Sequence, residues 1–190
     1  MKTDDEIKSD KLWCDFKKGD KNAFEKIYRT YAKNLLTYGY KVVVDRRLIE
    51  DSIQDLFFEL WQSRENLRHT SSIKFYLFKA LRYKIIRNAK GNGIAFVNSF
   101  EEIEDDSNDL SYESHLIEFE IQSLKTEHLQ HVIAQLPRRQ QEAINLRYYH
   151  NFSNDEIAEI MEVNYQSACK FIYSALKNLK TSLKIPFHHQ

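Results

Sequence analysis

The chain has 190 residues with 28 Lys or Arg against 28 Asp or Glu, and it contains only four Gly and two Pro. So few turn-forming residues disfavour a hairpin-rich β architecture, and no run approaches the roughly 18 apolar residues that a membrane span needs. The first ten residues are polar and acidic and lack the apolar stretch of a signal peptide, so we expect a cytoplasmic protein. Cys14 and Cys169 are too few and too far apart to predict a disulfide framework or a zinc site.

Charge divides the chain into three segments. Residues 1–90 carry 20 Lys or Arg and 13 Asp or Glu, residues 91–124 carry no cation and nine acids, and residues 125–190 carry eight cations and six acids. The sequence therefore predicts a basic unit, an acidic middle and a mildly basic C-terminal unit. The middle has few apolar residues, which is typical of a flexible linker. Its acidity either serves solubility or places it in a basic channel, and both interpretations stay open.

Two helices are predicted in the first forty residues. The first covers Asp4 to Lys18, Gly19 ends it, and Asp20 can cap the second. Apolar residues from Phe24 to Tyr38 then recur at spacings of three and four, which predicts one buried helical face. The segment from Gly39 to Arg47 is predicted as a turn, and its three consecutive valines form helix or loop because no partner strand is predicted elsewhere.

The third predicted helix runs from Leu48 to Ser63 and carries an acidic patch. Asp51, Gln54 and Asp55 stand at positions i, i+3 and i+4, so they share one face beside the apolar stripe. This patch is either an ordinary solvated face or a surface for a basic partner.

A basic-aromatic helix follows a polar loop that extends from Arg64 to Ser72. The helix is predicted to begin near Ser71 or Ser72, with Ile73, Leu77, Ala80 and Leu81 facing inward. Eight basic residues and one acidic residue lie between positions 64 and 90. Aromatic rings interleaved with cations suit unpaired nucleic acid, because bases stack on rings while cations hold phosphates. An ordinary amphipathic helix explains the same pattern, and the residues alone do not decide between the two.

The last third of the chain predicts a second helical domain. A stripe of Leu129, Val132, Ile133 and Leu136 comes first. Pro137 then suits the first position of a new helix, whose inward candidates are Ala143, Ile144 and Tyr148.

A helix-turn-helix layout follows a turn at Asn151 and Phe152. Ser153 and Glu156 form a capping box before a short helix, and a final helix is predicted from Tyr165 to about Leu183. In this layout the second helix enters the major groove of DNA.

Five segments resemble, in order and spacing, the extracytoplasmic-function (ECF) group of the sigma-70 family of RNA polymerase sigma factors. Four of them read GDKNAFEKIYRTY, DSIQDLFFELW, LPRRQQEAINLRYY and FSNDEIAEIMEVNYQSACKFIYSALKNLK, and the fifth is the basic-aromatic helix. The segments NDEIAEIM and NYQS are similar to versions common in Bacteroidetes. The resemblance covers nearly the whole chain. It implies an all-α protein of two small domains, an N-terminal helical bundle and a C-terminal helix-turn-helix, joined by an acidic flexible linker.

The resemblance also implies domains and partners. Residues 1–92 would be region 2, which binds core polymerase and recognises and melts the −10 promoter element. Residues 93–123 would be the linker, residues 124–184 region 4, which recognises the −35 element, and residues 185–190 a tail. The expected partners are core RNA polymerase, promoter DNA and an anti-sigma factor of the membrane-linked kind. No membrane insertion, cofactor, metal or catalytic residue is expected, because the polymerase itself adds nucleotides.

Three sets of site residues follow from the resemblance. The set that docks on the coiled coil of the largest polymerase subunit is Asp51, Gln54, Asp55 and Phe57. The −10 set, around a loop where a flipped base enters a pocket, is Asn66, Arg68, His69, Ser71, Lys74, Lys79, Arg82, Tyr83 and Arg87. The −35 set on the last helix is Gln166, Ser167, Lys170, Tyr173, Ser174 and Lys177.

The sequence departs from the family at three positions of the helix-turn-helix. Cys169 and Ser174 stand where the family often has Arg, and Glu162 stands where such turns often have Gly. Arg contacts to phosphate and guanine dominate many DNA complexes. We therefore expect weaker or altered −35 recognition, so that the −10 element carries more of the promoter selection.

Two other functions stay open at the level of the sequence. A free helix-turn-helix regulator would use the last domain alone and would need neither an acidic docking helix nor a basic-aromatic helix. A helical adaptor without DNA affinity is disfavoured by the eight cations between positions 64 and 90.

Overall fold

Every regular element in the described part of the chain is a helix. The computed structural model describes residues 4–91 and 129–183, and no strand occurs within these two ranges, as predicted. The longer helices are α1 (Asp4–Lys17), α2 (Lys21–Val42), α3 (Arg46–Gln62), α4 (Ile73–Gly91), α5 (Arg138–Ile144), α6 (Asn154–Met161) and α7 (Tyr165–Ser182). Residues 129–134 are also helical. The predicted linker at 93–123 and the tail at 185–190 lie outside the described residues.

A glycine turn joins α1 to α2. Gly19 has a φ of +89°, a left-handed conformation that glycine adopts without strain. Asp20 then caps α2, since its Oδ1 accepts a hydrogen bond from the backbone N of Asn22 at 2.8 Å. Both features are as predicted. α1 thereby places Trp13 and Phe16 in the core of the bundle, where each is almost fully buried.

The connection between α2 and α3 is shorter than the sequence predicts. α2 continues through Gly39 to Val42, and α3 begins at Arg46, two residues before the predicted start. A Cβ on Gly39 would lie 2.4 Å from Cγ2 of Ile49, so only glycine allows the two helices to pack this closely. The predicted turn from Gly39 is therefore wrong in its first half. The residue that suggested a turn instead permits a close helix crossing.

α3 and α4 pack along their apolar faces. Ile73, Leu77 and Leu81 are buried as predicted, and Ala80 is half-buried. The predicted start of α4 is also confirmed, because Ser72 Oγ accepts a hydrogen bond from the backbone N of Phe75 at 3.1 Å and so caps the helix.

The C-terminal part contains the predicted helix-turn-helix. Ser153 and Glu156 form the expected capping box at the start of α6. Asn164 Oδ1 caps α7 by accepting a hydrogen bond from Ser167 N at 2.7 Å. The backbone N of Val163 donates to the carbonyl of Ala158 at 3.0 Å. This bond closes the three-residue turn, and Ala158 lies buried between the two helices.

A π-helical turn, Asn145–Tyr149, changes the register after α5. An i→i+5 turn holds more residues than an α-turn, so the side chains that follow rotate to another face. Leu146 becomes fully buried while Tyr148 is 56% exposed. The prediction that Tyr148 faces inward is therefore wrong. Pro137, with φ −51° and ψ 140°, precedes α5 as its cap instead of occupying its first position.

The two parts of the chain share one hydrophobic core. Phe78 on α4 packs against Phe152 and His150 of the C-terminal part, with ring centroids 5.2 Å and 4.6 Å apart. Phe75 lies 6.4 Å from Phe152 by the same measure. Ring packing of this kind adds to the apolar area that the contact removes from water. The bundle and the helix-turn-helix therefore meet through a desolvated centre.

Candidate nucleic-acid interface

The acidic patch on α3 is open to solvent. Asp51, Gln54 and Asp55 are all exposed. Phe57, predicted in the same set, is only 4% exposed, whereas its neighbour Phe58 is 64% exposed. The ring of Phe57 packs against the aromatic residues of α2. Phe57 is thus a core residue, and its assignment to the accessible patch is corrected by its burial.

Phe58 completes the acidic patch that the sequence predicts on α3. It lies seven residues after Asp51, so the positions 51, 54, 55 and 58 follow one helical face. Aromatic residues are enriched in protein-binding surfaces, so an exposed ring within this acidic face suits such a surface. The spacing from Asp51 was the available signal, and it distinguishes Phe58 from Phe57.

The loop between α3 and α4 is anchored by α1. The buried indole of Trp13 donates its Nε1–H to the carbonyl of Arg68 at 3.2 Å. His69 Nε2 lies 3.6 Å from Asp10 Oδ1. At the start of the loop, Arg64 donates from Nη1 to the carbonyl of Trp61 at 2.8 Å. The loop has no long helix of its own, and these contacts with α1 and with the end of α3 hold it in place.

The four loop residues of the −10 set share an exposed surface. Asn66, Arg68, His69 and Ser71 are all exposed, and the backbone bond from Trp13 holds the middle of their segment. An exposed polar surface on an anchored backbone suits recognition of an unstacked base. The contribution of α1 to this arrangement was not predicted, because it joins positions 55 residues apart in the chain.

One side of α4 is open and forms a groove with α3. Tyr83 and Arg87 are exposed, and they line a shallow groove of about 150 Å³ together with Tyr76 and Lys84. Lys84 Nζ lies 2.6 Å from a carboxylate oxygen of Glu59 across this groove. This side of α4 thus carries two rings and two cations, of which Lys84 is paired with Glu59.

The other side of α4 contacts the C-terminal part of the chain. Lys74 Nζ donates to the carbonyl of His150, and its ammonium lies 4.9 Å above the ring of Phe152. Lys79 Nζ lies 2.8 Å from Glu159 Oε2. Lys74, Lys79 and Arg82 of the predicted −10 set are thus held by protein groups in this arrangement.

Arg82 lies at the centre of this contact and is only 2% exposed. Its Nε donates to Glu142 Oε1 at 2.7 Å, and the hydroxyl of Tyr38 donates to the same oxygen at 2.9 Å. Its Nη1 also lies 3.7 Å from Glu162 Oε2. The prediction that Arg82 is available to DNA is therefore contradicted for this arrangement of the domains.

The electrostatics of the buried cluster follow from this geometry. Burial has the largest single influence on Arg82 and would lower its pKa. The charge of Glu142, the interaction with Tyr38, the hydrogen bond to Glu142 and the charge of Glu162 together outweigh burial and raise the pKa, so the guanidinium stays charged. Burial, followed by the Glu142 carboxylate, raises the pKa of the Tyr38 hydroxyl well above its ordinary value. Tyr38 therefore remains a hydrogen-bond donor. A buried charge pair of this kind needs both partners, because either one alone would be left uncompensated.

His150 is the other buried ionisable group in the contact. It packs against Tyr38 and Phe78, and its Nε2 has no hydrogen-bond partner. Burial, and then the nearby charge of Lys74, lower the pKa of His150 to about 4. The imidazole is therefore neutral near pH 7 while the contact is formed.

The predicted −35 set lies on the open side of α7. Gln166, Lys170, Tyr173 and Lys177 are exposed, and Ser167 and Ser174 are half-buried. At the first departure from the family, Cys169 Sγ accepts a hydrogen bond from Asn154 Nδ2 at 3.3 Å. Position 169 thus connects α7 to α6 instead of extending outward as a cation.

Glu162, the departure in the turn between the two helices, adopts a left-handed conformation with φ 53° and ψ 48°. This conformation is strained for residues with a side chain, which is why glycine is common at helix C-termini. The carboxylate of Glu162 approaches Arg82. The strained residue therefore makes a contact that glycine at this position would not make.

The described residues form a helical bundle that packs on a helix-turn-helix. They also present an acidic patch, a basic-aromatic helix and an open recognition helix. Together these features define a class of DNA-binding protein. Within the sigma-70 family, the region 2 pattern matches residues 27–93 and the region 4 pattern matches residues 126–179. Together these matches cover more than half of the chain, in the family's order. The chain belongs to the sigma-70 family.

Solved structures share this fold. The chain is similar to the sigma factor RpoE from Bartonella quintana, solved with the anti-sigma factor NepR, at a TM-score of 0.58 and 18% identity over 86% of this chain and 98% of that chain. It is also similar to CnrH, solved with the cytosolic domain of CnrY, at a TM-score of 0.58 and 15% identity over 93% and 97% of the two chains. No curated protein matches the chain in sequence. Among the described residues, no helix has the length and apolar character to cross a membrane.

Proposed function

We propose that the chain is an ECF-type sigma factor. It binds core RNA polymerase, recognises the −35 and −10 promoter elements, helps to melt the DNA and directs transcription initiation. The occurrence of regions 2 and 4 in one chain, in this order, carries the proposal. The polymerase adds the nucleotides, so this chain acts in the cytoplasm as a recognition factor without its own catalysis. The similarity of its helix-turn-helix to Bacteroidetes versions stays a prediction.

The proposed domains are those expected from the sequence. Residues 1–92 bind polymerase and the −10 element, residues 93–123 connect the domains, residues 124–184 bind the −35 element, and residues 185–190 form a tail. The exposed acids on α3 suit a basic coiled coil on the polymerase, because complementary charge speeds encounter and orients the partners. Phe58 replaces Phe57 in the docking set, since only Phe58 is accessible.

The two DNA sites have different chemistry. The loop residues and the Tyr83–Arg87 side of α4 present rings and cations to a single strand, which favours base stacking and phosphate contact. The outward face of α7 presents Lys170 and Lys177 to a duplex, as a recognition helix does. Promoter selection would lie mainly with the first site, because Cys169 and Ser174 supply no guanidinium to the second.

An anti-sigma factor is a further proposed partner. RpoE was solved with one, and CnrH was solved with the cytosolic domain of CnrY. The exposed patch on α3 is a surface that such a protein would compete for. Affinity capture of the chain from its native cells should then recover an anti-sigma protein in addition to polymerase, and recovery of polymerase alone would contradict this part of the proposal.

In vitro transcription tests the main proposal. Purified chain, core polymerase and a candidate promoter should give RNA that depends on the chain, and changes in the −10 box should reduce it more than changes in the −35 box. The alternative is a free helix-turn-helix regulator. Tight binding of the isolated chain to duplex DNA, without chain-dependent RNA, would support that alternative and contradict the proposal.

Two adjacent phenylalanines supply a matched test of docking. Phe58→Ala should weaken binding to core polymerase at least about tenfold, because exposed aromatics at interface centres dominate binding energy, and should leave the thermal midpoint unchanged. Phe57→Ala should instead lower the free energy of unfolding by about 3–5 kcal/mol, because it opens a cavity in the core. Binding that survives Phe58→Ala would show that the docking face lies elsewhere on the bundle.

A further inference from the structure

A helix outside the region 2 match contacts the −10 loop (residues 64–72). α1 ends at Lys17, whereas the region 2 match begins at residue 27, and α1 carries none of the docking, −10 or −35 residues. Yet two of its side chains reach the loop. Trp13 Nε1–H donates to the carbonyl of Arg68 at 3.2 Å, and Asp10 Oδ1 lies 3.6 Å from His69 Nε2. Two neighbouring residues of the −10 set are therefore contacted from α1.

We propose that Trp13 is a positioning residue for base selection, because its indole fixes the backbone of the −10 loop in the shape that receives one unstacked base. The inference rests on the proposed function, from which it takes the −10 role of the loop. It goes further by making α1, a helix that precedes the region 2 match, part of the promoter reader. Trp13 acts through the carbonyl of Arg68 and does not itself contact the base.

The indole of Trp13 is a rigid donor. The residue is 1% exposed, and its ring packs against Phe16 of α1 and Tyr76 of α4, with centroids 5.3 Å and 5.5 Å away. Close packing of this kind keeps a buried side chain in one rotamer, so the direction of its N–H is fixed. The carbonyl that accepts this N–H is therefore held relative to α4 as well as to α1.

The two ends of the loop are fixed by their own neighbours in the chain. Arg64 donates from Nη1 to the carbonyl of Trp61 at 2.8 Å. Thr70 Oγ1 donates to the carbonyl of Ser72 at 3.0 Å and accepts from the backbone N of Ser72 at 3.2 Å. These contacts join residues two or three positions apart, whereas the contact from the indole spans 55 positions. The middle of the loop therefore depends on how α1 packs.

Loss of the indole contact should affect base preference more than affinity. Asn66, Arg68, His69 and Ser71 are exposed around the tied carbonyl. Hydrogen bonds to a base edge weaken steeply when the donor angle falls below roughly 120°, so a small shift of the loop backbone removes them. The attraction between a cation and a phosphate depends on distance and has no such angular requirement. A loosened loop would still bind a strand, but it would distinguish the bases less well.

Trp13→Phe tests the inference, because it keeps an aromatic ring in the core and removes the N–H donor. A candidate promoter is randomised at every −10 position and barcoded in its transcribed part, and core polymerase with the full chain transcribes the mixture. Sequenced barcodes then give the base preference at each position. The ratio between the best and the worst base should fall about fivefold to tenfold at one position, as expected for one lost hydrogen bond, and should change less than about twofold elsewhere.

Phe16→Leu is the matched control. Phe16 lies on the same helix and is fully buried in the same core, but its apolar side chain cannot donate a hydrogen bond to the loop. This variant should keep the native preference at every −10 position, even if the amount of RNA falls. A second variant places benzothienylalanine at position 13, where sulfur replaces the N–H in a ring of the same shape. It should reproduce the loss of preference without opening a cavity, also where Trp13→Phe fails to fold.

NMR relaxation tests the loop contact without polymerase. Backbone order parameters of residues 67–71 in the free chain should be about 0.85, typical of a rigid backbone, and should fall toward about 0.6 in both variants at position 13. Phe16→Leu should leave these order parameters unchanged. The measurement separates a loop that has lost its contact from a bundle that is destabilised as a whole.

The inference is overturned by any of three results. The first is a native base preference at every −10 position in a folded variant at position 13. The second is an equal loss of preference in Phe16→Leu, which would assign the effect to core packing instead of the N–H. The third is an unchanged set of order parameters in the variants at position 13. Absence of RNA with the native chain would instead contradict the proposed function, while the order parameters would still report whether Trp13 holds the loop.

Discussion

The two helices predicted to contact DNA differ in how the fold presents them. α7 exposes four of the six residues of its −35 set, whereas α4 buries Arg82 and holds Lys74 and Lys79 against the second domain. Both are amphipathic helices with cations on the polar side. The difference lies in what packs on that side. Cations spaced along a helix therefore predict a partner with anionic groups, but they do not distinguish a phosphate backbone from carboxylates of the same chain.

The largest expected effect comes from breaking the buried pair. Arg82→Met leaves Glu142 with only the more distant Arg139, 3.9 Å away, and the hydroxyl of Tyr38, so the domain contact should lose about 3–5 kcal/mol. Urea unfolding should change from one cooperative transition to two, one for each domain. Lys79→Gln removes only a half-exposed pair and should cost less than about 1 kcal/mol. A single unchanged transition in Arg82→Met would show that the two domains do not depend on this cluster.

The next largest effect is a pH dependence of the contact between α4 and the C-terminal domain. Closing this contact holds the pKa of His150 at about 4, below its ordinary 6.5, so the closed form binds fewer protons than the open form. The contact should be unaffected above about pH 6.5. It should weaken as the pH falls from there toward 4, by at most about tenfold in the closed-to-open ratio per pH unit.

This dependence is measured as the yield of the carbodiimide cross-link between Lys79 and Glu159 at a series of pH values. Lys74 on α4 and Tyr38 on α2 are ionisable groups that face His150. The difference between the native chain and His150→Gln therefore isolates the histidine. Identical profiles between pH 6.5 and 5 would contradict the assignment.

On the α7 side, Lys170→Gln tests whether the reader helix is open. We expect about tenfold weaker binding to a −35 duplex and a slope of log affinity against log salt that is smaller by about one, because one phosphate contact is lost. The loss should be the same in a Glu142→Gln background, which removes the charge that pairs with Arg82 across the domains, since α7 is exposed whether or not the domains are in contact. Titration at several salt concentrations measures both quantities. A loss that appears only in the Glu142→Gln background would show that α7 is also covered.

The smallest expected effects come from Glu162→Gly, which should stabilise the C-terminal domain but weaken the contact between the two domains. Glu162→Gly removes a left-handed strain and should stabilise the C-terminal domain by about 1 kcal/mol. It also removes a partner of Arg82, so the yield of the carbodiimide cross-link between Lys79 and Glu159 should decrease severalfold. Asn151, with φ 53°, is the matched control, because Asn151→Gly changes a similar backbone position outside the Arg82 cluster. If Glu162→Gly raised both the stability of the C-terminal domain and the yield of the cross-link between Lys79 and Glu159, a role for Glu162 in the domain contact would be contradicted.

Local chemistry predicted the elements better than the site. Gly19, Asp20 and the Ser153–Glu156 capping box act within a few residues, so their roles followed from the chain itself. Phe57 and Phe58 were harder, because one residue of register decides whether a ring is in the core or on the surface. Tyr148 was misplaced for a related reason: the π turn shifts the periodicity on which the prediction rested.

The sequence alone determined an all-α chain, the capped helices of its two domains and the division of its charges, because these depend on periodicity and on contacts between near neighbours. Its motifs also pointed to the sigma-70 family. Only the tertiary structure decided that α1 anchors the loop through Trp13, that Gly39 lets α2 and α3 pack closely, and that Arg82 meets Glu142 across the domains. These pairs are 10 to 60 residues apart, and their approach depends on how whole helices pack, which no local pattern specifies.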